Sequence, residues 1–91
     1  MKTSRVAEAL NRILDRLAGI EHERWSHWQR YMHDKGTRQP DGSLIIPAAL
    51  VERWEKQIAT PFADLTNVEK ESDRDQVRKY LPAIVEALSE V

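Results

Sequence analysis

Ile20-Glu21-His22-Glu23-Arg24-Trp25-Ser26-His27-Trp28-Gln29-Arg30-Tyr31-Met32-His33 is the stretch on which the reading of this chain turns. At about 100° per residue, Ile20, Arg24, Trp28, Tyr31 and Met32 fall on one side of a helix, with Trp25 at the border. A purely structural stripe rarely carries an arginine at its centre. Burying Arg24 requires a carboxylate, and Glu21, three residues earlier, is the local partner. The helix is expected to stop at Asp34-Lys35-Gly36, since glycine is the usual residue past a helix end.

Upstream, Val6, Leu10, Ile13, Leu14 and Leu17 follow the spacing of a helix with one buried stripe. Thr3 or Ser4 can cap it by accepting a hydrogen bond from a first-turn amide. Gly19 weakens a helix by about 1 kcal/mol relative to alanine, which predicts a break or kink there. Downstream, Gln39-Pro40-Asp41-Gly42-Ser43 is a turn signal between Thr37-Arg38 and Leu44-Ile45-Ile46, and reads as a short hairpin. Pro47 suits the first turn of a helix over Ala48–Ala59, with Leu50, Val51, Trp54 and Ile58 on one stripe. Thr60-Pro61 ends that helix. Thr66-Asn67-Val68-Glu69 is a capping box that opens another, and Pro82 kinks or divides it before a last amphipathic segment with Ile84 and Leu88.

The expected fold is mainly α: a small helical domain of roughly four helices with a short β-hairpin around residues 37–46. Residues 1–19 form an N-terminal amphipathic helix for packing or self-association, and residues 20–91 the main domain.

Composition narrows the function. The chain has 91 residues, no cysteine, three tryptophans, and fourteen basic against fifteen acidic residues. Without cysteine there is no disulfide framework, thiol nucleophile or thiolate metal site, which suits a reducing, cytoplasmic setting. A net charge of −1 gives no field favouring nucleic acid. Apolar runs are far shorter than a membrane span, and no apolar leader follows Lys2 and Arg5. So small a domain has a thin core, so the tryptophans must supply much of it, or a partner must.

Catalytic patterns are missing. His22 and His27 are five apart, not the four that put two zinc ligands on one helix face. Glu21 and Glu23 diverge on a helix, and no phosphate-cradling glycine loop or nucleophile elbow is present. The acidic run Glu69, Glu71, Asp73, Asp75 reads as a solvated face, with Arg74 pairing Asp73 or Glu21. What remains is aromatic and basic: Arg24, Trp25, Trp28, Arg30 and Tyr31 on one helix, Arg53 and Trp54 on another, Lys70 and Arg74 on a third. Indoles stack on planar rings and guanidinium groups grip phosphates, so a groove combining them suits a nucleotide-like ligand. The competing reading puts Trp25, Trp28 and Trp54 in the core.

Glu21-His22-Glu23-Arg24-Trp25, Leu44-Ile45-Ile46-Pro47 and Pro61-Phe62-x-x-Leu65-Thr66-x-x-Glu69-Lys70-x-x-Asp73-Arg74 together resemble the ryanodine-receptor-type domain. The likeness is closer to short bacteriophage and prophage members. These share a His-Glu-x-Trp-x-His-Trp-x-Arg-Tyr-Met segment (His22 to Met32), an Asp41-Gly42 turn and a Val51-x-Arg53-Trp54 helix. Gly36 departs from the pattern, being followed by Thr37 and not by tryptophan. The resemblance covers residues 20 to 80 and implies a mostly helical, non-catalytic fold that senses or sequesters a signalling or defence nucleotide. Two functions follow as expectations. One is a cofactor-free module binding a nucleotide-like anion through Arg24, Trp25, Trp28, Arg30, Tyr31, Arg53, Trp54, Lys70 and Arg74. The other is a helical protein-interaction or homo-oligomerisation module without a small ligand.

Overall fold

The computed structural model describes residues 2–91, and the side-chain surroundings from Ser4 onward. Helix α1 spans Lys2–Arg12 and α2 spans Leu14–Lys35. The first helix therefore begins before Thr3 and Ser4, which lie inside it and not at its cap. The break comes at Ile13, not at Gly19. Ile13 has φ −100° and ψ 14°, and its amide bonds three residues back to the Leu10 carbonyl at 3.2 Å. Gly19 is spanned without interruption, because one glycine costs less than ending a helix that propagates on both sides.

Helix α2 ends at Gly36, which is extended (φ −86°, ψ 157°). A Cβ there would sit 3.2 Å from the Leu44 Cβ, a tight approach that favours glycine where β2 passes close by. The hairpin follows: β1 (Thr37–Arg38) pairs antiparallel with β2 (Leu44–Ile45), Thr37 opposite Ile45 and Arg38 opposite Leu44. In its turn the Gly42 amide donates to the Gln39 carbonyl at 2.9 Å. Gly42 takes φ +90°, a conformation that side-chain-bearing residues rarely adopt. The Asp41 carboxylate accepts from the Ser43 amide and hydroxyl at 3.0 and 2.6 Å.

Helix α3 (Ala48–Ala59) starts after Pro47 and ends at Thr60, followed by a 3-10 turn over Phe62–Asp64. Helix α4 (Asn67–Arg78) carries the complete capping box. The Glu69 amide donates to the Thr66 hydroxyl at 3.2 Å, and the Thr66 amide donates to the Glu69 carboxylate at 3.1 Å. Helix α5 (Leu81–Leu88) has Pro82 in its first turn, where a missing N–H removes no helical bond. The chain is thus a small, mainly helical fold with a short hairpin.

Helix α5 runs antiparallel to α1 and the first half of α2. Arg16 pairs with Glu86 at 2.8 Å, and the Tyr80 hydroxyl bonds Glu21 one turn further along. Only Ala9, Ala83 and Ala87 are buried apolar residues among those described. Small side chains let helices approach closely but supply little apolar area. None of the three tryptophans is buried, so the expected tryptophan core is absent. Leu14 and Ile58, expected on buried stripes, are 61% and 84% exposed. The shape explains this: the radius of gyration is 18.1 Å, and the extents are 57 × 34 × 16 Å. A compact chain of this length has a radius of about 12 Å. The chain is spread into an open slab with a smallest extent of 16 Å, so its helices keep part of their surface toward solvent.

Candidate functional site

Four of the nine expected site residues meet in one place. Trp28 and Tyr31 from α2, with Arg53 and Trp54 from α3, line an open groove of about 370 Å³ closed on its far side by α4. Trp28 and Tyr31 meet edge to face at 5.6 Å, and Tyr31 lies 6.4 Å from Trp54 at a tilt of 56°. Pairs of this geometry attract through the ring quadrupole. The Lys35 ammonium caps the cluster, 5.3 Å from the centre of the Tyr31 ring.

Leu65, Val68, Glu69 and Asp73 also line the groove, although none of them is among the nine expected site residues. Leu65 and Val68 flank the Thr66 cap in sequence, at the start of α4. The Gln57 amide donates to the Glu69 carboxylate at 2.6 Å. Gln57, then Thr66, hold the Glu69 carboxyl below its ordinary range, with Arg53 adding attraction. Groove electrostatics are therefore mixed: one cation, Arg53, against Glu69 and Asp73. A second hollow of about 410 Å³ lies beyond, between Arg53, Lys56, Asp64 and Glu69.

The other five residues lie elsewhere. Arg24 donates from Nε to Glu21 at 2.9 Å and makes a second bond to the same carboxylate. Glu21 accepts as well from Tyr80, so α2 is tied to the residue that precedes α5, 59 positions away in sequence. Arg24, then Tyr80, lower the Glu21 pKa to about 2. The partner expected for Arg24 is thus the one observed, and the guanidinium is already engaged. Trp25 is 54% exposed and stacks on His22 at 6.1 Å. Arg30 is exposed, outside both hollows. Lys70 and Arg74 lie over the Phe62 ring at 5.9 and 5.8 Å. Arg74 pairs with Glu71 at 3.3 Å, and not with Asp73 or Glu21 as expected, because a spacing of three brings Glu71 to the same helix face. Arg78 bridges Glu71 and Asp75.

No family model, curated protein or solved structure matches the chain. No helix among the described residues is long and apolar enough to cross a membrane.

Proposed function

We propose that this chain is a non-catalytic helical module that acts as a homo-oligomer, its apolar helix faces covered by further copies of itself. One observation carries the reading. The chain exposes 7384 Å², whereas a folded monomer of its mass exposes about 5,500 Å². The surplus is about 1,900 Å² per chain, and large apolar side chains on every helix from α2 to α5 contribute to it. Among the described residues only three alanines are fully buried apolar side chains, so the chain's own core is thin, which favours further burial supplied from outside the chain. A cysteine-free chain of this kind suits the reducing cytoplasm. Small-angle X-ray scattering tests the reading. A scattering mass at least twice the 10.6 kDa of one chain is expected, and a folded chain at 10.6 kDa overturns it.

A second reading is favoured by the aromatic groove: a nucleotide-like ligand, as the ryanodine-receptor-type resemblance implies. Three rings and Arg53 border one open hollow. A base would stack against Trp28 or Trp54, and Arg53 would meet the phosphate. With Glu69 and Asp73 also present, ring recognition outweighs charge. Calorimetric titration with mono-, di- and cyclic nucleotides should give heat that Trp54→Ala abolishes. No heat from folded protein at millimolar ligand ends this reading.

A further inference from the structure

The groove between α2, α3 and α4 presents both signs of charge beside three rings that do not lie parallel. Trp28 stands at 85° to Tyr31, and Tyr31 at 56° to Trp54. One ring face is enough for a flat base, whereas three tilted rings bordering one hollow make walls for a rounded group. Aromatic faces attract cations, and this cluster already holds one: the Lys35 ammonium lies over Tyr31 at 5.3 Å, although Lys35 does not itself line the groove. Of the two carboxylates in the groove, Glu69 is occupied. One of its oxygens accepts from the Gln57 amide at 2.6 Å, and the other from the Thr66 amide and hydroxyl at 3.1 and 2.8 Å. Asp73 joins no ion pair among the described residues, and neither does Arg53. The hollow therefore offers one open anion, one open cation and a set of rings. Its volume of about 370 Å³ falls within the range of about 300–1,000 Å³ for small-ligand pockets.

We infer that the groove binds a zwitterion made of a quaternary ammonium joined to a phosphate, the chemistry of phosphocholine. Trp28, Tyr31 and Trp54 surround the methyl groups, Asp73 supplies the countercharge, and the Arg53 guanidinium grips the phosphate. The need for methylation follows from the donors. A primary ammonium carries three N–H donors, and each one turned toward a ring would lose its water without gaining an acceptor of equal strength. A quaternary ammonium has no donor to lose, and its methyl groups add apolar contact with the indoles. The need for a phosphate follows from Arg53, which a purely cationic ligand would leave unmatched and would repel. The inference goes beyond the nucleotide reading, since it keeps Arg53 as the phosphate contact but fills the corner between the rings with a cation. It does not depend on the oligomeric reading, because α2, α3 and α4 of one chain supply every contact named.

The test titrates the full chain with phosphocholine, choline, phosphoethanolamine and nucleoside monophosphates, following the three indole N–H signals by NMR. The titrations are repeated with Arg53→Gln and Asp73→Asn, both at exposed positions, with circular dichroism checking that each variant stays helical. Millimolar phosphocholine is expected to shift the Trp28 and Trp54 signals and to leave that of Trp25, outside the groove, unmoved. Choline and phosphoethanolamine are each expected to bind about tenfold more weakly. Arg53→Gln should weaken phosphocholine about tenfold without weakening choline, while Asp73→Asn weakens both. Pelleting of the chain with phosphatidylcholine vesicles would assign the lipid headgroup as the source of the ligand, and binding of free phosphocholine without pelleting would assign a soluble one. No shift with phosphocholine, equal affinity for phosphoethanolamine, or an Arg53→Gln variant that binds phosphocholine unchanged overturns the inference. Shifts with nucleotides alone overturn it too, and leave the nucleotide reading standing.

Discussion

Dilution is the perturbation that separates an assembled fold from a self-sufficient one. If two chains unfold together, the midpoint temperature depends on chain concentration, because unfolding releases two molecules from one. Unfolding entropy is about 2.1 cal/mol/K per residue, so 91 residues give about 190 cal/mol/K per chain and about 380 per pair. A tenfold change in concentration contributes RT ln 10, about 1.5 kcal/mol near 60 °C. The ratio predicts a rise of about 4 °C per tenfold increase in concentration, or about 8 °C across a hundredfold range. Calorimetry at high concentration and tryptophan fluorescence at low concentration cover that range. Trp25, Trp28 and Trp54 all border solvent or the groove, so their emission reports the transition. A midpoint that does not move across a hundredfold dilution refutes the reasoning, since it assigns all the stabilising burial to one chain.

Three further outcomes follow from single contacts. Glu21 is held at about 2 against an ordinary 4.5, chiefly by Arg24 and then by Tyr80. Its stabilising contribution is complete above pH 4.5 and is lost as pH falls toward 2; NMR titration of the Glu21 carboxyl should show this, and Tyr80→Phe should move the titration upward. Thr66→Ala removes the acceptor for the Glu69 amide and should cost about 1 kcal/mol per chain, or about 5 °C in midpoint by thermal melting. Gly42→Ala forces a Cβ into φ +90° and should cost about 1–2 kcal/mol by urea unfolding, with hairpin amides losing protection first.

Local chemistry was legible in the sequence, and long-range geometry was not. The Thr66/Glu69 cap, the Asp41-Gly42 turn and the Glu21–Arg24 pair each depend on residues within four positions of one another, so residue type and spacing predict them. Gly19 misled because propensity is a weak bias that continuing helix on both sides overrides, while Ile13, without any breaker residue, carries the bend. Leu14 and Ile58 fall on helical stripes by spacing yet are exposed, because a period says which residues share a face and not what covers it. The Tyr80–Glu21 bond joins residues 59 apart and leaves no local trace. The same limit dispersed the expected site. Arg53 and Trp54 reach the groove because α3 returns alongside α2, while Lys70 and Arg74 follow α4 round to Phe62.

The open slab is the feature on which the account depends, and sedimentation equilibrium of the full chain at several loading concentrations addresses it most directly. The account predicts a fit to twice 10.6 kDa or a higher multiple, with helical circular dichroism intact. A single species at 10.6 kDa, equally helical at every loading, would contradict it.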